Sequence, residues 1–83
     1  MTLPLFVEIV GWIGAALILV AYLLLSAGKL PARSYAYQGM NLLGAIFFVV
    51  NSGWNGAIPS ASLNVIWAFI ALFALTRIGR AAA

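Results

Sequence analysis

The 83-residue chain has no cysteine and no histidine, and Glu8 is its only acidic side chain. A thiolate nucleophile, a disulfide framework and a His or Cys metal site are therefore excluded. One carboxylate cannot supply the paired acid–base chemistry of many hydrolases within a single chain. Charge of either sign is scarce: 6% of residues are charged and 66% are hydrophobic, whereas soluble domains carry about 25% charged residues. So few charges cannot cover that much apolar surface in water, which makes a bilayer the expected solvent. No enzyme activity, metal or cofactor is expected. The net charge of +3 comes from Lys29, Arg33, Arg77 and Arg80. Scattered cations beside apolar runs read as membrane-topology signals, and no nucleic-acid partner is expected.

Long apolar runs fill the rest. The expected fold is an all-α integral membrane protein, a single domain over residues 1–83 with three transmembrane helices at about 5–27, 35–52 and 60–76. The first run, "LFVEIVGWIGAALILVAYLLLSA", is long enough at about 1.5 Å per residue to cross a hydrocarbon core of roughly 30 Å. Pro4 suits a first helical turn, where its missing N–H is not needed. A cleaved signal peptide fits poorly, because no Lys or Arg precedes the run and it exceeds the usual 7–15 apolar residues. "GKLP" breaks the run, Ser34 is the N-cap expected for the second helix, and Gly53 its expected stop. In "SGWNGAIPS" the tight point is Asn55-Gly56, and Pro59 restarts a helix. The third run is the shortest and is expected to stand upright, with "RIGRAAA" as a tail.

Three crossings would place Lys29, Arg33, Arg77 and Arg80 on one side and no Lys or Arg on the other. The positive-inside bias then predicts an N-terminus outside and a C-terminus in the cytoplasm of a bacterial inner membrane. Trp12, Tyr35 and Trp54 lie near helix ends, where amphipathic rings favour the interface.

Small residues recur at helical spacing. Gly11 and Ala15 are four apart with Gly14 and Ala16 beside them, and Gly44 lies in the second helix; such positions let backbones pack closely. Ser60, Asn64, Ala68 and Ala71 form a second small and polar stripe. Polar groups are rarer and carry two readings each. Glu8 is either an interfacial carboxylate near a helix N-terminus or a gating or proton-coupling acid facing a cavity. Asn64 sits inside the third run, where an unpaired amide costs several kcal/mol. It is either an interhelical tie or a ligand contact. Trp67, one turn on, either packs or offers a ring face to a solute. Asn51 reads as a helix cap, and Gln38 lies close enough to a helix end to reach water.

Three helices do not enclose a passage for a metabolite. Two identically inserted copies would, which implies a parallel homodimer with its two-fold axis along the membrane normal. Asn64 and its mate would then face each other across one cavity, as in secondary transporters.

The stretch from Gly44 to Asn64, "GAIFFVVNSGWNGAIPSASLN", resembles the SemiSWEET half-transporters of the MtN3/PQ-loop superfamily, which includes the SWEET sugar carriers. It looks closer still to a bacterial family of small three-helix proteins related to them. The resemblance covers roughly residues 9–76 and rests on Gly44, Pro59 and Asn64. It implies a SemiSWEET-like bundle and transport of a small, sugar-like or otherwise polar solute by alternating access. It assigns Asn64 to the pocket, puts Phe48 where a tryptophan flanks the sugar, and leaves Asn51 to replace the lost indole donor. The family's Pro-Gln hinge pair would fall at Leu24 and Leu25, and neither residue is present. The competing expectation is an accessory protein that packs on a larger membrane complex and transports nothing.

Overall fold

A computed structural model describes residues 2–82. Three helices follow in order: α1 (Leu3–Ser26), α2 (Tyr35–Trp54) and α3 (Ile58–Ala82). Local chemistry fixes most of their ends. The Thr2 hydroxyl accepts the Leu5 N–H at 3.3 Å and caps α1, with Pro4 in the first turn. The Ser34 hydroxyl accepts the Tyr37 N–H at 3.1 Å and caps α2 as its sequence position suggests. Glycine ends both helices in the left-handed region that side chains avoid: Gly28 and Gly56 both have φ of 73°. Beside them, Lys29 N–H reaches the Leu24 carbonyl and Ala57 N–H the Ser52 carbonyl, each at 2.9 Å.

α2 packs against both α1 and α3, while α1 and α3 make no close backbone approach among the described residues. The middle helix therefore holds the chain together. The α1 seam repeats at positions 7, 11, 14 and 21, where Val7, Gly11, Gly14 and Ala21 are buried. Opposite them α2 buries Asn41, Gly44, Ala45 and Ser52. Small side chains at these positions bring the helices together: a Cβ on Gly14 would lie 3.0 Å from the Gly44 carbonyl oxygen, and one on Gly44 would lie 3.1 Å from that of Gly14. Gly11, Gly14 and Gly44 thus lie buried on the α1–α2 seam. Ala15 is only half-buried and borders the groove described below.

Large apolar side chains point the other way. Phe6, Trp12, Leu19 and Leu23 on α1 and Leu63, Ile66, Phe69 and Phe73 on α3 are exposed, while the buried hydrophobic residues are Val7, Ala21, Ala45 and Ala71. In water this distribution would forfeit most of the apolar burial that stabilises a domain. In hydrocarbon it is the expected one, because close packing of small residues supplies the helix contacts there.

The expectation of three transmembrane helices is corrected. Among the described residues, two helices are long and apolar enough to cross a membrane, Leu3–Ser26 with a mean hydropathy of 2.4 and Ile58–Arg80 with 1.9. Their apolar windows are only 22% and 6% buried, unlike the mostly buried core helix of a soluble protein, and this points to a membrane location. α2 falls short despite its 20 residues. Gln38, Asn41, Asn51 and Ser52, with three glycines, dilute its apolar stretch "LLGAIFFVV". The SemiSWEET-like, N-out/C-in arrangement loses its basis with the third crossing, because that orientation was counted from an odd number of spans. The third helix is also longer than 60–76: it begins at Ile58 and continues through "RIGRAA" to Ala82. Arginine is a good helix former, and Arg80 in the last turn suits the negative end of the helix dipole.

Candidate functional site

A groove of about 260 Å³ opens between α1 and α2, lined by Glu8, Gly11, Trp12, Ala15, Phe48 and Asn51. The α1 members recur at i, i+3, i+4 and i+7 and so share one helix face. Phe48 and Asn51, three apart, do the same on α2. Gly11 and Ala15 leave the space that larger side chains would fill. Into it project a carboxylate, an amide and two aromatic rings.

Hydrogen bonds fix the polar groups. Glu8 Oε1 accepts from Trp12 Nε1 at 3.2 Å, one turn apart on α1. Asn51 Nδ2 donates across the seam to the Val7 carbonyl at 3.0 Å. Glu8 and Asn51 line the same groove, and the Asn51 amide oxygen is an acceptor by its chemistry. The groove thus offers the Glu8 and Asn51 oxygens as acceptors, with the second Asn51 N–H as a donor, beside Trp12 and Phe48. It suits a solute bearing O–H or N–H donors and a flat apolar face.

Five residues singled out in the sequence therefore meet in one place: Glu8, Gly11, Ala15, Phe48 and Asn51. Asn64 and Trp67 do not join them. Asn64 Nδ2 donates to the Ser60 carbonyl of its own helix at 2.9 Å, and the residue is half-buried. Trp67 Nε1 donates to Asn41 Oδ1 at 3.3 Å, while Asn41 Nδ2 donates to the Tyr37 carbonyl at 2.9 Å. Together with the Ser52–Ser60 hydroxyl pair at 3.1 Å, these contacts tie α3 to α2. Asn64 lies between the two ties along α3, as Phe48 does along α2. Gln38 donates to the Ala32 carbonyl at 3.0 Å and braces the loop before α2.

Two participants escaped the sequence reading. Trp12 was assigned to the interface, although its place four residues after Glu8 already put both on one face. Asn41 is 5% exposed and receives the Trp67 indole; no spacing within α2 announces a partner on another helix.

Fold and site together define a small all-α chain with membrane-length helices and a polar groove beside its glycine seam. A protein family of unknown function matches residues 7–82, and the chain belongs to that family. No curated protein and no solved structure matches the chain. None of these findings links it to the SemiSWEET half-transporters or their superfamily.

Proposed function

We propose that the chain is a carrier of small polar solutes in a bacterial inner membrane and works as a parallel homodimer. The observation that carries this reading is the convergence of Glu8, Phe48 and Asn51 in one groove over Gly11 and Ala15. An acid on a membrane-length helix is costly unless it has a partner or a task. Here its oxygens border a space of solute size. The solute class that fits is a small molecule with O–H or N–H donors, sugars and sugar-like metabolites included, stacked on Phe48 and hydrogen-bonded by Glu8 and Asn51.

The dimer follows from the open shape of the protomer. α1 and α3 stay apart, so one chain encloses no passage and a second copy is needed to close one. Asn64 then has a role across the dimer axis, through the amide oxygen that its bond to Ser60 leaves uncommitted. The groove near Arg33 and Arg77 and the approach of the Tyr35 hydroxyl to Gly79 put the basic loop and the C-terminal turns of α3 at one end of the bundle. In a parallel dimer both copies carry that basic end on the same side of the membrane.

The second reading is an accessory protein docked on a larger membrane complex. What favours it is that Trp67 and Asn41 satisfy each other inside the protomer, so these two polar groups need no ligand.

Uptake of a panel of labelled sugars, polyols and amines into liposomes carrying the purified chain separates the two. A carrier moves at least one solute faster than protein-free liposomes, and Phe48→Ala slows that solute. Folded, dimeric protein that moves nothing across the panel removes the carrier reading and leaves the accessory one.

A further inference from the structure

A second groove, of about 320 Å³, lies at the opposite end of the bundle from Glu8. Arg33, Gln38 and Arg77 line its polar part and Ile70, Phe73 and Ile78 its apolar part. Asn51, which marks the Glu8 end, is 16 residues beyond Tyr35, the first residue of α2, a rise of about 24 Å along that helix, and Arg33 precedes it. The chain's only acidic side chain is therefore out of reach of both guanidinium groups. The Arg77 guanidinium is held over the Phe73 ring at 5.9 Å from its centroid, a contact that orients the side chain without neutralising it. Phe73 and Ile70 are 61% and 60% exposed, so the apolar wall of the groove continues onto the outer face of α3.

We infer that this groove binds an anionic phospholipid, its phosphate between Arg33 and Arg77 and an acyl chain along Ile70 and Phe73. Guanidinium forks match phosphate oxygens in pairs. Basic pockets at the cytoplasmic side of membrane helices take lipid headgroups for the same reason. The apolar wall favours a phosphate attached to a hydrocarbon tail over a free one, and α3 is one of the two helices long and apolar enough for a bilayer. Gln38, anchored on the Ala32 carbonyl at 3.0 Å, holds the loop that carries Arg33 against the start of α2. The inference rests on the membrane location proposed above and is independent of transport.

Native mass spectrometry of the detergent-solubilised chain, titrated with phosphatidylglycerol, cardiolipin or phosphatidylcholine, tests it. The anionic lipids are expected to remain bound roughly thirtyfold more strongly than phosphatidylcholine. Arg33→Gln with Arg77→Gln is expected to erase that preference, while Lys29→Gln with Arg80→Gln, outside the groove, keeps most of it. Arg33→Lys with Arg77→Lys preserves net charge and loses the forks, so weakened retention by this pair supports the site even if the glutamine pair does not fold. Equal retention of phosphatidylcholine, or an equal loss in the Lys29/Arg80 pair, overturns the inference in favour of diffuse charge. Inorganic phosphate that displaces the lipid at millimolar concentration overturns it in favour of a free oxyanion.

Discussion

The side chain of Asn51 occupies the space that a side chain on Gly11 would need: a Cβ there would lie 2.8 Å from Asn51 Cγ. The missing methyl on α1 and the bond from Asn51 Nδ2 to the Val7 carbonyl are one feature seen from two helices. Gly11→Ala forces the amide out and breaks that bond. The expected cost is about 1–2 kcal/mol, read from thermal unfolding in detergent. Gly11→Ala in an Asn51→Ala background should add much less, because the clash with the amide has gone and only the 3.3 Å approach to the Cβ at position 51 remains. An equal cost in both backgrounds would disprove the linkage.

Gly14→Ala should be the more damaging change. Its Cβ would meet the Gly44 carbonyl oxygen at 3.0 Å and Phe47 Cβ at 2.9 Å, and a backbone carbonyl in a helix cannot swing aside as an amide side chain can. Separation of α1 from α2 is the remaining response, and overpacking of this kind costs typically 1–3 kcal/mol. At Gly44 a Cβ would meet Ile18 Cγ1 at 2.7 Å and the Gly14 carbonyl oxygen at 3.1 Å, a β-branched side chain stiff at χ1 and a backbone atom, so Gly14→Ala and Gly44→Ala are both expected to exceed Gly11→Ala. Unfolding of the three alanine variants in one detergent ranks them, and the reverse order would count against the seam.

Much of this seam was legible in the sequence, because small residues at i, i+3 and i+4 spacing, here Gly11, Gly14 and Ala15, have one common use between apolar helices. The Ser34 cap and the Asn55-Gly56 turn were legible for the same reason: few residues do those jobs. The role of α2 was not. Its apolar run "LLGAIFFVV" looks like the centre of a span, and only its flanking amides, serine and glycines lower the whole helix below the other two. The end of α3 was misread because "RIGR" looks like a polar tail, whereas arginine is a good helix former and one glycine does not stop a packed helix. Asn51 and Asn41 were visible as amides, but their partners, the Val7 carbonyl and the Trp67 indole, lie on other helices. Spacing along one helix carries no information about them.

Asn41 and Trp67 should behave as a coupled pair. Trp67→Phe removes the donor to a buried amide oxygen, and Asn41→Leu removes the oxygen. A double-mutant cycle on detergent-phase unfolding is expected to return roughly 0.6–1.7 kcal/mol of coupling. A coupling of zero would mean that the 3.3 Å contact contributes nothing and that Trp67 is free to serve a ligand.

Asn64 separates protomer from dimer. Among the described residues its amide donates to the Ser60 carbonyl of its own helix alone, and the loss of that bond strands no buried group. Asn64→Ala should therefore shift protomer stability by less than about 0.5 kcal/mol. If the dimer cavity is as proposed, the same substitution removes solute-dependent stabilisation while cross-linking still detects dimer. A large loss of stability without solute would make Asn64 structural.

Glu8 gives the cleanest test of the groove. Glu8→Gln keeps the length of the side chain and an oxygen for the Trp12 indole, which it holds at 3.2 Å, and it removes only the charge. The side chain is exposed in the protomer, so folding and helix content should be unchanged by circular dichroism. The effect belongs to the solute: replacing a charge-assisted hydrogen bond by a neutral one should weaken binding roughly tenfold. The measurement is the concentration of solute that half-saturates uptake in liposomes, compared for the two proteins at equal reconstitution. If Glu8 is an interfacial carboxylate and nothing more, the two curves superimpose. In that case the groove binds through Phe48 and Asn51 alone or not at all, and Phe48→Ala distinguishes those outcomes, since only the first loses uptake when the ring is removed.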